Sequence, residues 1–419
     1  MKRVFTPVKK KTILLVDDDH LSVHIYRSKL ERQGFKVEVA HDADSALHDL
    51  QKGIVDLAII DLSLPGINPG ELIKNIRSES DLQALPIIAF SNPYLNSLAR
   101  ASSEAGAMKC VAKIESTPEQ IFELARELGI SVISSAVTTG VVERLEANQE
   151  KLVATLLVNE PDTLAKLRVG HQTFARAAQD DSRSAELLEM HRQLRSLTGG
   201  ASLLGFQKIA RVSTALEALL IELHTKPAKI TPSVVRTVAQ AIDTLASLFD
   251  QAANPQPELS TAPKILVVDD EVISRETICS ALRKADLHAE SADDPLAAQS
   301  LLEQNHFDLI FLDVEMPGLS GLELCVKIRE MTSNRTTPVV FVTSHSDFGS
   351  RAQSTLSGGN DFIAKPFVLV ELAVKALTWL FRKSPPAPST PSPQDGPGAC
   401  ARRGSNPQPL APEANALSS

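Results

Sequence analysis

Along residues 12–130, short apolar runs alternate with longer segments whose apolar positions recur at helical spacing. ILLV, KVEVA, LAII, PIIAF and KCVA read as five strands, apolar enough to be buried on both faces. HLSVHIYRSKLERQG, ADSALHDLQKG, GELIKNIRSE and YLNSLARASSEAG lie between or beside them, and TPEQIFELARELG follows, each with one apolar helical stripe. Strand and helix alternating at this length predict right-handed crossovers and a doubly wound parallel sheet with helices on both faces. Such sheets collect ligands at the carboxyl ends of their strands.

The pattern then changes. From about 137 to 253 strand signals vanish, and Leu, Ala, Glu, Gln and Arg recur at helical spacing in VVERLEANQEKLVATLLV, TLAKLRVGHQTFARAAQ, SAELLEMHRQLRSL, FQKIARVSTALEALLIEL and SVVRTVAQAIDTLASLF. Turns are expected at EPD, GG and TKPAKITP, and an antiparallel helical bundle is the natural packing. In the third segment Leu187, Met190, Leu194 and Leu197 form the buried stripe, which leaves His191, Arg195 and Thr198 on a more exposed face.

The strand-helix pattern returns at 263–383, and with it specific residues. KTILLVDDDH reappears as PKILVVDDEV, and LAIIDLSLPG as LIFLDVEMPG. One offset of 252 residues relates Asp17 to Asp269, Asp18 to Asp270, Asp61 to Asp313, Ser91 to Thr343 and Lys113 to Lys365. Each landmark ends an apolar run, so the chain carries two copies of one domain, with acids, a hydroxyl and an amine gathered at the ligand end of each sheet. Three carboxylates together repel one another unless a cation sits among them. Oxygen ligands of this kind suit Mg2+, held by Asp17, Asp18 and Asp61 in the first copy and by Asp269, Asp270 and Asp313 in the second. One carboxylate can then attack a phosphoryl group, with metal and ammonium stabilising the charge on the transferring oxygens and the hydroxyl bonding the attached phosphoryl.

On these motifs both copies resemble response-regulator receiver domains, which have the flavodoxin-like fold. The second copy carries DD, LDVEMPGLSG, VVFVTS and DFIAKPF. The resemblance implies Asp313 as phosphoacceptor, Asp269 and Asp270 as metal ligands, Thr343 as switch hydroxyl, Lys365 as phosphate contact and Phe362 as the switch aromatic. The first copy keeps Asp17, Asp18, Asp61, Ser91 and Lys113, which makes Asp61 a second candidate acceptor. It places Ile114 after the lysine, Cys110 at the aromatic position and Pro69 where the second copy has Gly321, departures that alter output coupling before they alter chemistry.

The helical segment MHRQLRSLTGGASLLGF is similar to a histidine-phosphotransfer domain, whose signature reads His, any, Leu, any, Gly, with a second glycine six residues on. Gly199 and Gly205 fit, but Arg195 stands in the histidine's place. A guanidinium is always charged and cannot carry a phosphoryl group, so the bundle is read as degenerate. Arg195 is expected instead to bind an aspartyl phosphate or a receiver carboxylate, and the small residues Gly199, Gly200, Ala201 and Ser202 let another surface approach it. His191, one turn earlier, is read as a surface histidine without special function.

The remaining composition narrows the setting. The chain is 419 residues with a net charge of -8 at pH 7, which offers no footprint for phosphate backbones, so no nucleic-acid partner is expected. No apolar run is long enough to span a bilayer, and Cys110, Cys279, Cys325 and Cys400 show no zinc or disulfide spacing, which points to the cytoplasm. Residues 1–11 read as a basic tail, 254–262 as a flexible linker that permits domain movement, and 384–419, dense in Pro and Ser, as disordered. The chain thus reads as an α/β and all-α multidomain phosphoacceptor of a two-component relay, not a dedicated enzyme. A sensor histidine kinase or histidine-phosphotransfer protein would be the donor and a protein the downstream partner. A scaffold or decoy for a kinase is the competing reading, and a metal-dependent phosphatase built on Asp17 and Asp19 ranks last.

Overall fold

The structure, a computed structural model, describes residues 10–64, 68–130, 142–177, 180–253, 262–344 and 357–382. The expected tail at 384–419 lies outside the described residues, as do the tail at 1–11 before residue 10 and the linker at 254–262 before residue 262.

The apolar runs of the first copy become β1 (Thr12–Val16), β2 (Lys36–Ala40), β3 (Leu57–Asp61), β4 (Ile87–Ser91) and β5 (Lys109–Ala112). All pairs are parallel, in the order β2-β1-β3-β4-β5, and β1 and β3 are buried at every position. The helices are α1 (His20–Arg32), α2 (Ala43–Gln51), α3 (Pro69–Ser78), α4 (Asn96–Glu104) and α5 (Pro118–Glu127). Asp19 starts α1 by accepting from the amides of Leu21 and Ser22, the orphan donors of a first turn. Thr117 and Gln120 cap α5 reciprocally.

Four helices follow: α6 (Val142–Arg176), α7 (Asp180–Leu203), α8 (Gln207–Thr225) and α9 (Pro232–Ala253). Two of the expected turns are absent, because α6 runs through EPD with Pro161 inside it and α7 runs through Gly199 and Gly200. Burial of Leu156, Leu164 and Leu167 on one face of α6 outweighs the hydrogen bond that a mid-helix proline forfeits. The chain turns instead at Gly205, whose φ of +87° only glycine adopts without strain, and again at TKPAKITP.

The second copy comprises β6 (Ile265–Val268), α10 (Val272–Lys284), β7 (Ala289–Ala292), α11 (Pro295–Gln304), β8 (Leu309–Asp313), α12 (Gly321–Glu330), β9 (Val339–Thr343), β10 (Asp361–Ala364) and α13 (Leu369–Phe381). Its strand order, β7-β6-β8-β9-β10, repeats that of the first sheet. The architecture is therefore two five-stranded parallel sheets flanked by helices, with a helical region between them in sequence.

Bundle and second sheet are not separate bodies. Leu216, Leu219 and Leu245 of the bundle share one apolar core with Val267, Leu372 and Leu377. Around it Ser233 and Thr237 of α9 donate to the buried Glu371 carboxylate at 2.6 and 3.0 Å, and Arg236 and the buried Lys375 pair with Asp361 at 3.1 and 2.7 Å. The expected independent movement of these parts is thus corrected, since separating them would expose that core and leave buried charges unpaired. Replacing Leu219 by Ala should cost about 2–5 kcal/mol and lower the bundle and the second α/β domain together in a single urea transition; two resolved transitions would show that they fold apart.

Candidate functional site

Parallel register delivers the repeated landmarks to one edge of each sheet. Val16 lies opposite Ile60, Asp61 opposite Phe90, and Ser91 opposite Ala112, so Asp17, Asp61, Ser91 and Lys113 emerge side by side at the carboxyl ends. The backbone amide of Lys113 donates to the Ser91 carbonyl, and that of Lys365 to Thr343 in the second sheet.

In the second site, Lys365 Nζ lies 3.0 Å from Asp269 Oδ2 and 2.9 Å from Asp313 Oδ2. Asp269 and Asp313 are buried and Asp270 is exposed. Ser274 donates to Asp269 Oδ2 at 2.5 Å, and the Glu271 amide to Oδ1 at 2.9 Å, fixing the carboxylate from both sides. One oxygen from each of Asp269, Asp270 and Asp313 falls within 4.8 Å of the other two. Three carboxylates against a single ammonium leave an excess of negative charge, and an all-oxygen donor set suits Mg2+, so these residues fit the ion. Burial raises the Asp313 carboxyl above its ordinary range, opposed by its bond to Lys365 and reinforced by Asp269. Burial lowers Lys365, but its bonds to Asp313 and Asp269 outweigh that and hold the ammonium above its usual value. Thr343 is buried at the end of β9. Phe362 is buried under the Arg236 guanidinium, 4.1 Å from its ring centre.

The first site has a different occupant. Lys113 Nζ lies 2.6 Å from both Asp17 Oδ2 and Asp61 Oδ2. Between the acids enters Arg195 of α7, with one guanidinium nitrogen 2.9 Å from Asp61 Oδ2 and 3.6 Å from Asp17 Oδ1, and the other paired with Asp18. The trio expected to hold Mg2+ is engaged by an arginine, and among the described residues only the second copy forms an open carboxylate group. Burial raises Asp61, but Lys113 and Arg195 overcome it and hold the carboxyl well below its ordinary range; in Asp17 burial wins and the carboxyl is raised.

This contact rests on close packing of α7 against α1. A Cβ added to Gly199 would stand 2.2 Å from Asp19 Oδ2, and one on Gly200 would stand 2.6 Å from Leu21. Ser202 donates to the Ile114 carbonyl, and Asn92 to that of Thr214 in α8, both at 2.9 Å. The face assigned to solvent is therefore corrected: His191 and Arg195 are each only 6% exposed and Thr198 is half-buried. An amphipathic pattern identifies the apolar face of a helix, whereas this second buried face is polar because it meets carboxylates. Burial, with the Arg195 charge beside it, pushes the His191 imidazole down to about 3, so it is a neutral core histidine and not a surface one. Asp19 is committed to capping α1, which removes one member of the acid pair behind the phosphatase reading.

Sequence reasoning missed Glu217 of α8, whose only signal is a lone acid inside the apolar run ALEALLIEL. It lines a cavity with Asp61, Ser91, Lys113 and Arg195, and its Oε1 is buried without a hydrogen-bond partner among the described residues. Burial raises its carboxyl to about 7, against a Thr198 hydrogen bond and the charges of Arg195 and Lys113.

Both copies of the repeat match a known family. The model of the response regulator receiver domain matches residues 13–126 and 265–377, together more than half of the chain. The transcriptional regulatory protein ResD of Bacillus subtilis (strain 168) is 37% identical over 124 residues, 29% of this chain and 49% of ResD. The response regulator MprA of Mycobacterium sp. (strain KMS) is 34% identical over 122 residues, 29% of this chain and 52% of MprA. The chain thus spans about half the length of these curated relatives. Among solved structures, the receiver domain of sensor histidine kinase PA1611 from Pseudomonas aeruginosa PAO1, described with magnesium coordinated in its active-site cleft, is 27% identical, covering 29% of this chain and 98% of that one at a TM-score of 0.27.

The buried Glu217 carboxyl should make the first site sensitive to pH. Its folded value of about 7 lies above the ordinary carboxyl value of about 4.3 in the unfolded chain. Its contribution to stability is therefore fully present below the unfolded value and is lost as pH rises through the folded one. Between about pH 5 and pH 8, wild type should lose on the order of 2 kcal/mol relative to Glu217→Gln, read from urea midpoints; parallel profiles would mean that Glu217 ionises as in water.

Proposed function

The chain belongs to the response regulator receiver family, and from that premise we propose that it is a two-component phosphorelay protein whose working acceptor is Asp313. The carboxylate group of Asp269, Asp270 and Asp313 beside Lys365 carries this reading, because it alone, among the described residues, is open to a divalent ion. Asp269, Asp270 and Asp313 would hold Mg2+, which when bound would neutralise charge on the phosphoryl oxygens. An Asp313 carboxylate oxygen attacks phosphorus of a phosphohistidine, the new P–O bond forms as the P–N bond breaks, and the imidazole leaves with the electron pair. Lys365 pairs with the oxygens of the product, and the Thr343 hydroxyl bonds one of them. The nearly two added charges then act on Phe362.

A sensor histidine kinase or histidine-phosphotransfer protein fits as donor. On the second receiver the start of α10 lies open beside the acids, with Val272 and Ile273 exposed at 60% and 75%. By the repeat offset Ile273 corresponds to Leu21, which on the first receiver is covered by α7 at Gly200. Output reaches the bundle first, since Arg236 of α9 stacks on Phe362 and also bonds its carbonyl at 3.3 Å, and passes from there to a downstream protein partner. No nucleic-acid contact is invoked. We place the receivers at 12–130 and 263–383 and the bundle, a degenerate histidine-phosphotransfer domain, at 137–253. No helix among the described residues is long and apolar enough to cross a membrane, which accords with a cytoplasmic setting. The scaffold reading draws on a specific observation as well: the arginine seated in the first site binds a receiver without chemistry.

Incubation with Mg2+ and acetyl phosphate, followed by intact mass, should give one labile phosphoryl group per chain, lost in Asp313→Asn and retained in Asp61→Asn. Two groups would make both receivers active acceptors, and none would favour the scaffold.

A further inference from the structure

The two acid sites differ in the source of their cation. Each has three aspartates and one lysine, but only in the first does an arginine pair with the carboxylates; at the second, Arg275 donates to the backbone carbonyls of Asp269 and Asp270 and leaves their side chains unpaired by it. Arg195, almost fully buried, contacts Asp17, Asp18 and Asp61 together. With Lys113 it supplies two positive charges against three negative ones, where the second site has a single ammonium against three carboxylates. Mg2+ demands octahedral oxygen ligands at about 2.0–2.1 Å and keeps several waters. The first site offers no such set of oxygens, because Asp61 Oδ2 accepts from both Lys113 and Arg195, and Asp18 pairs with the other guanidinium nitrogen. The residues of the first site do not fit the ion.

We infer that the first receiver takes its cation from the bundle: Arg195 stands where a divalent ion would, so Asp61 is neither metal-loaded nor phosphorylated while α7 is seated, and the first receiver serves as a clamp on the bundle. The attachment is built along the whole contact and not by one ion pair. Asp19 and Leu21 pack against the two glycines, while Ser202 reaches the Ile114 carbonyl and Asn92 the Thr214 carbonyl. Three permanent features hold the state: an arginine that does not deprotonate, a lysine, and carboxylates withdrawn from water. The clamp therefore forms without Mg2+ and without a phosphodonor. This inference rests on the reading of Asp313 only for the contrast between sites, and its test removes the second site.

In full-length protein carrying Asp269→Asn and Asp313→Asn, Mn2+ serves as the paramagnetic probe and bound ion is counted by electron paramagnetic resonance. This chain should bind no Mn2+, and adding Arg195→Met should restore one ion per chain, lost again with Asp61→Asn. An ion bound while Arg195 is present and lost on Asp61→Asn overturns the inference, as does a folded Arg195→Met chain that binds none. Circular dichroism checks folding, and Arg195→Gln, which keeps a polar side chain of similar reach, replaces the Met variant if that one unfolds. Failure of wild type to load its second site would count against Asp313 and leave the result at the first site standing.

Discussion

Carboxylates gathered at the end of a sheet have to be neutralised, and the arrangement of this molecule follows from how each group of three is supplied with positive charge. Buried acids within a few ångströms of one another repel strongly in a medium that screens poorly. One lysine per site is part of the repeated unit. The remaining charge comes at the first site from a side chain 134 residues distant from Asp61 in sequence, and that requirement brings α7 down on the active end of the first receiver. Gly199 and Gly200 are the backbone's accommodation to it, since a side chain at either would collide with Asp19 or Leu21.

From this the asymmetry of the whole chain follows. The bundle meets the first receiver at its acid end, through α7 and α8, and meets the second through β10, α13 and the C-terminal end of α10, away from Asp313. One receiver thus has its carboxylates engaged by the bundle and the other does not, with Val272 and Ile273 at the start of α10 exposed beside it. The face of the second receiver that the bundle covers carries Phe362, so the aromatic expected to respond to phosphorylation is already in contact with Arg236. The bundle is the common partner of both domains.

Much of this was legible in the sequence. Apolar runs ending in Asp17, Asp61, Ser91 and Lys113, repeated at one offset, placed those residues at strand ends, and the sheets have that order. Arg195 beside Gly199 and Gly200 pointed to an aspartyl phosphate or a receiver carboxylate as its partner, though not to which receiver supplies it. The burial of His191 was not legible, because a polar face that pairs with charges on another domain carries the same pattern as one facing water. The continuity of α6 through Pro161 and the core shared by α8, α9 and α13 were hidden for a related reason: tertiary burial decides both, and local signals do not report it. Glu217, a lone acid in an apolar run, was visible but had no meaning until Arg195 and Asp61 stood beside it.

The contact between Arg195 and Asp61 joins the first receiver to the bundle, and a double-mutant cycle measures it directly. Arg195→Met, Asp61→Asn and their combination would be compared with wild type by urea unfolding in the absence of divalent ions. Residues in direct contact within one charge network couple by about 0.5–3 kcal/mol, and Arg195 and Asp61 should couple favourably toward the upper part of that range. Additive effects of the two substitutions would contradict it, because they would mean that the first receiver and the bundle are held together by something other than the arginine among its aspartates.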